Sequence, residues 1–180
     1  MTKTFLICVL WAHCVVGQPV SFDRIVNAAK EPQNWLTYWG DYGAVRYRNL
    51  KQSNTENAKD LRLEWMFQTG QPGAFETVPL VVDGIMYFTA ANGFAVGGDA
   101  RNGRQIWQYK YPVGAKIKVF CGTVKRGLAI LGGRRVLSPP HAHLVGLGAS
   151  TGRPSWDVVG ARASLSPGRA LAPLAAPAAG

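Results

Sequence analysis

Three tryptophans, Trp65, Trp107 and Trp156, stand 42 and 49 residues apart, and the later two lie in segments that repeat one another. At an offset of 49, Gly84 falls on Gly133, Ala100 on Ala149, Gly103 on Gly152, Arg104 on Arg153 and Trp107 on Trp156. A period of about 40 to 50 residues made of short β-prone runs marks propeller blades, which cannot bury both faces alone and must stack around a ring. The unit between the tryptophans reads as a meander. "GIMYFTA" is rich in aromatic and branched residues, as a strand requires. "ANG" turns the chain, "FAVGGDA" returns, "RNG" turns again, and "RQIWQYK" carries Trp107 near its centre. "LRLEWMF" (61–67) reads as a further strand, carrying Trp65. The fold expected is all-β: a partial β-propeller of about three four-stranded antiparallel blades. Its tryptophans pack between blades as large apolar anchors with a polar N–H handle.

The net charge of +10 is unevenly spread. Residues 1–100 hold 8 basic and 9 acidic side chains, and residues 101–180 hold 12 basic and one acidic, Asp157. The basic residues occur singly or in pairs, so no stripe forms of the kind nucleic-acid binding uses. Nucleic acid is therefore not an expected partner.

Residues 1–17 read as an export signal. A short start with Lys3 precedes an apolar run from Phe5 to Val16. That run is shorter than the roughly 20 apolar residues a membrane span needs. The expected location is periplasmic or secreted, with no transmembrane span. Export would remove Cys8 and Cys14 and leave Cys121 as the one thiol. Residues 18–159 are then the partial propeller, and 160–180 form an Ala/Pro-rich tail with 8 alanines in 21 residues.

Two local patterns carry little. His141 and His143 alternate on a strand but have no third ligand nearby, so they make a poor metal site. "GLGASTG" (146–152) lacks the last glycine of a dinucleotide fingerprint and opens no helix.

Five stretches carry a resemblance: "NWLTYWGDYGAVRYRNL" (34–50), "LRLEWMFQTG" (61–70), "FETVPLVVDGIMYFTA" (75–90), "DARNGRQIWQY" (99–109) and "CGTVKRGLAI" (121–130). In this order and spacing they resemble the N-terminal part of the quinoprotein alcohol dehydrogenases, over roughly residues 25 to 160. That family is built as eight-bladed β-propellers. The resemblance implies pyrroloquinoline quinone (PQQ) as cofactor, with calcium or another metal. It also implies alcohol or polyol oxidation by hydride transfer and a cytochrome as electron acceptor. It assigns cofactor contacts to Glu76, Cys121 and Arg126. Arg126 matches an arginine that pairs with a cofactor carboxylate, for which a planar guanidinium fork is suited. Glu76 matches a glutamate that contacts the quinone from the first blade edge.

The chain departs from the family pattern in several places. Relatives carry two adjacent cysteines where this chain has Phe120 and Cys121, so their vicinal disulfide cannot form. Gly98 precedes Asp99 where an apolar residue is usual. Gly148 replaces the aspartate that turns the last blade. Pro139 and Pro140 fall where a hairpin turn belongs and remove a ladder donor. Ala170 stands where relatives have a cofactor-binding threonine. The family's catalytic base, its metal ligands and its later blades match no part of this chain. The expectation is a truncated, degenerate member of the family with no catalytic or metal-binding residues, inactive alone. Two other classes were weighed: a non-catalytic propeller-like interaction protein of the cell envelope, and a basic surface-binding module. The retention of Glu76 and Arg126 argues against a mere scaffold.

Overall fold

The structure, a computed structural model, describes residues 19–113, 124–139, 143–159 and 173–176. Its backbone is dominated by two four-stranded antiparallel sheets, each a meander in sequence order. The first contains β1 (Leu80–Val82), β2 (Ile85–Ala90), β3 (Phe94–Asp99) and β4 (Gln105–Lys110). The second contains β5 (Ala129–Leu131), β6 (Arg134–Leu137), β7 (His143–Gly148) and β8 (Pro154–Val159). The all-β propeller expectation holds, and the meander boundaries fall where the turn residues put them. Asn92, in the "ANG" turn, has φ +60, a conformation asparagine tolerates better than most residues.

Two of the roughly three expected blades are formed as four-stranded sheets among the described residues. Residues 61–70 are extended but belong to no sheet. Their anchors are two side chains. The Trp65 indole N–H donates to the Ala100 carbonyl at 3.1 Å, and Phe67 meets Phe88 edge-on at 5.4 Å. A strand forms only where a neighbouring strand satisfies its ladder, and among the described residues none lies beside this one. Leu61, Leu63 and Met66 are consequently more than 70% exposed.

The two sheets share one core. Leu80, Val82 and Tyr87 of the first meet Ile130, Leu137, Val145 and Leu147 of the second, with Trp107 among them. The repeat is obeyed atom by atom. Trp65 lies against Gly103, and Trp107 lies against Gly152, where an added Cβ would come within 2.6 and 2.4 Å of the respective indoles. The Ala100 and Ala149 carbonyls accept the two indole N–H groups. The Ala100 and Ala149 amides in turn donate to the Gly84 and Gly133 carbonyls at 2.9 and 3.0 Å. The pairs Gly84/Gly133, Ala100/Ala149 and Gly103/Gly152 obey the 49-residue offset, whereas the docked indoles, Trp65 and Trp107, stand 42 residues apart and come from the segment preceding each blade. A bulge between Gly97 and Gly98 in β3, repeated between Gly146 and Leu147 in β7, seats each blade's own indole over a glycine.

The departures noted in the sequence have local consequences. Asp99 accepts from the Arg101 amide and guanidinium and stabilises its turn, and this holds its carboxyl down to about 2. At the equivalent Gly148 no carboxylate exists. The Thr151 hydroxyl, 2.8 Å from where a Cβ would sit, accepts from the Arg153 amide, as the Asn102 side chain accepts from the Arg104 amide in the first blade. Ser138 and Pro139 lie in the connection between β6 and β7, where a missing ladder donor does no harm.

An N-terminal segment ties the blades together. A short helix, α1 (Phe22–Val26), is capped by the Ser21 hydroxyl accepting from the Arg24 amide. Val20 bridges to Gly132 in the second sheet's first turn, and Trp35 bridges to Val81 of β1. Arg24 binds Glu31 at 2.6 Å and Asp83 at 2.9 Å, and Asn34 donates to both acids. Asp83, at φ +50, and Gly84 form the β1–β2 turn. This cluster therefore fixes that turn to the N-terminal segment, and the Arg24 contacts lower the Glu31 carboxyl's pKa.

Candidate functional site

Glu76 and Arg126 meet although 50 residues separate them. Each lies in an extended stretch just before its blade's first strand, β1 or β5. The two stretches run side by side: the Val78 amide donates to the Arg126 carbonyl at 3.2 Å. Gly127 permits this approach. It holds φ +134, and a Cβ there would stand 3.1 Å from the Val78 carbonyl oxygen. The Arg126 guanidinium then reaches Glu76 Oε2 through both Nε, at 3.1 Å, and Nη2, at 3.0 Å. The two residues that the family resemblance names as cofactor contacts are thus in direct contact with each other. Both side chains are a little under half exposed, at 45% and 44%. Ion pairs this wet contribute little to stability, so the guanidinium remains available to a second anion.

Next to Arg126, Lys125 is turned inward and almost wholly buried. Desolvation pulls its ammonium down to about 8. Sequence reasoning used Lys125 only as part of a cationic pair. The alternation of a buried and an exposed cation is set by the extended backbone, which sends successive side chains to opposite faces.

On the other side of Arg126 opens a cavity of about 550 Å³. Its wall comes from the loop 37–44, with Tyr38, Trp39 and Tyr42, and from Pro173 and Leu174 of the tail. The tail is held there by the Tyr42 hydroxyl, which donates to the Ala175 carbonyl. Glu76 is not part of this wall. No stretch of the chain announces the cavity, since its parts are about 130 residues apart in sequence.

Cys121, with Phe120, lies outside the described residues, as do Cys8, Cys14, His141 and Ala170. His143 is placed in β7 and binds Asp157 Oδ1 of β8 at 2.6 Å. No group of three or more potential metal ligands occurs among the described residues. None of the helices among the described residues is long and apolar enough to cross a membrane.

Two stacked meander blades whose first-strand approaches converge on a carboxylate–guanidinium pair define a partial β-propeller. The chain belongs to the PQQ-dependent dehydrogenase family: residues 35–161 match the model of the "Glucose/ethanol/alcohol dehydrogenase, beta-propeller domain". It is 36% identical over 132 residues to the quinohemoprotein alcohol dehydrogenase of Comamonas testosteroni, covering 72% of this chain and 18% of that protein. The crystal structure of the Comamonas testosteroni enzyme superposes with a TM-score of 0.73, over 78% of this chain and 21% of that one. A europium-containing methanol dehydrogenase, 30% identical, superposes with a TM-score of 0.78 over 86% of this chain and 28% of its own. The chain thus spans about a fifth of the length of the curated relatives it matches.

Proposed function

We propose that this chain supplies the first blades of a PQQ-dependent alcohol dehydrogenase propeller and one edge of its cofactor site, and that it does not oxidise alcohols alone. The observation that carries the reading is the Arg126–Glu76 pair at the blades' inner approach, on residues that match the family's cofactor contacts. Bound PQQ supplies the two-electron oxidant for the alcohol. This chain's part is to hold it. Arg126 presents a half-exposed guanidinium fork to a carboxylate of the cofactor. Glu76 fixes the direction of that fork. Cys121 offers a thiol to the quinone face, without the second cysteine that would close a disulfide against it. An incoming carboxylate must share Arg126 with Glu76, and the described residues supply only one edge of a pocket, so affinity is weak.

The remaining parts of the reaction belong to the rest of the propeller. They are the base that takes the hydroxyl proton and the calcium or other metal that polarises the quinone; the electrons then pass to a separate partner, a cytochrome. The setting is periplasmic, with residues 1–17 as the export signal. The test is dye-linked oxidation of ethanol by the purified chain with PQQ and calcium. The expected turnover equals the no-protein control, and turnover above it would overturn the reading. Saturable PQQ binding by calorimetry, weakened in the Arg126→Gln variant's context of an intact propeller, supports the cofactor edge.

The alternative of a non-catalytic envelope interaction protein is favoured by one observation, the undocked Trp156. Its indole overlies Gly146 as Trp107 overlies Gly97, yet no following turn receives it among the described residues. A further blade of the same family would cover it equally well.

A further inference from the structure

The cavity beside Arg126 has features that neither the ion pair nor the blade packing uses. Thr37 is 6% exposed, and its Oγ1 has no hydrogen-bond partner. Asp41 Oδ1 is likewise buried and without a partner. Both residues line the cavity. Buried polar atoms are rarely left without a partner, because each forfeits its hydration with nothing in return. Opposite in character stands Arg126, the cavity's one lining cation. Between them Tyr38, Trp39 and Tyr42 give three aromatic walls. Trp39 is already held from outside, with the Arg46 guanidinium 4.9 Å from its ring centre. A volume of about 550 Å³ is that of a small-molecule pocket, in the usual range of about 300–1,000 Å³.

We propose that this cavity binds a small aromatic carboxylic acid bearing a hydrogen-bond donor at its far end, with the carboxylate on Arg126, the ring among Tyr38, Trp39 and Tyr42, and the donor on Asp41 and Thr37. Each part of the ligand follows from one group in the wall. A carboxylate fits the guanidinium fork. A flat ring fits aromatic faces at offset or edge-on geometry. Asp41 accepts and cannot donate when ionised, so the far end must donate. A ligand without that donor would leave both orphans buried and unmet, which is how such sites discriminate.

The site stands apart from the quinone reading, although the two share Arg126. The probe is 4-hydroxyphenylacetate, titrated by calorimetry into the full chain, with phenylacetate and 4-hydroxybenzyl alcohol as ligands that lack one end each. The wild-type chain is expected to bind the probe saturably, and each truncated ligand about tenfold more weakly. Asp41→Ala, which removes the acceptor, is expected to abolish the roughly tenfold preference for 4-hydroxyphenylacetate over phenylacetate. Circular dichroism confirms that the variant is folded, and Thr37→Val serves as the second variant with the same expected loss of discrimination. No saturable binding up to millimolar probe, or full discrimination retained in both variants, would overturn the proposal. Acid binding that persists while PQQ binding is absent would instead count against the quinone edge alone.

Discussion

The indole N–H of Trp107 donates to the Ala149 carbonyl at 2.7 Å, joining the third residue of β4 to the turn between β7 and β8 of the next blade. That bond fixes the spacing of the blades. It needs a residue without a side chain at position 152, because the indole lies where a Cβ would be.

Gly152→Ala is therefore expected to destabilise the chain by about 2–4 kcal/mol, through overpacking and a strained positive φ. Gly133→Ala meets nothing within 4 Å and is expected to change stability by no more than about 0.5 kcal/mol. Urea unfolding of both variants checks the contrast. Equal effects would show that the indole does not seat on the turn.

Trp107 and Trp156 occupy equivalent positions but not equivalent surroundings, the first 6% exposed and the second only part-buried. Trp107→Ala should cost about 3–5 kcal/mol, the range for a buried aromatic. Trp156→Ala should cost about 1 kcal/mol or less, since among the described residues no following turn receives its indole. Thermal unfolding of the two variants measures the difference.

Lys125 makes stability depend on pH. Its folded ammonium is pulled down to about 8 by desolvation, below its unfolded value of 10.5. Between those values the unfolded chain binds the proton and the folded chain does not, so stability rises with pH across that window. Below about pH 8 both states are protonated and the benefit is absent. Stability should rise by up to about 3 kcal/mol between pH 7.5 and 10, at roughly 1.4 kcal/mol per pH unit. Lys125→Met should flatten the rise, as measured by denaturant midpoints at the two pH values.

The blade repeat was legible because its chemistry is local and periodic. Gly103 and Gly152 stand where an indole needs space, Ala100 and Ala149 where it needs an acceptor, and each recurs at the same offset. The convergence of Glu76 and Arg126 was legible only through the family resemblance, since nothing in either stretch alone announces the other. The unpaired state of residues 61–70 was not legible. The strand pattern is present there, but pairing depends on a neighbour rather than on the segment. The cavity was hidden for a related reason. Its orphans, Thr37 and Asp41, become informative only when their surroundings show that no partner exists.

Cys121 is expected to be a free thiol in the exported chain, because Phe120 removes its neighbour and loss of residues 1–17 removes Cys8 and Cys14. A maleimide probe should label the denatured, processed monomer once. No labelling would show that the thiol is consumed in a bond.

The claim that this chain carries one edge of a quinone site is tested most directly in a complete ring. Residues 35–161 would replace the matching part of the Comamonas testosteroni enzyme, and PQQ affinity would be measured by calorimetry with and without Arg126→Ala. The chimera should bind PQQ, and the substitution should weaken binding about tenfold to a hundredfold, the value of a hydrogen bond to a charged group. A folded chimera whose PQQ affinity is the same with arginine and with alanine at position 126 would contradict the account.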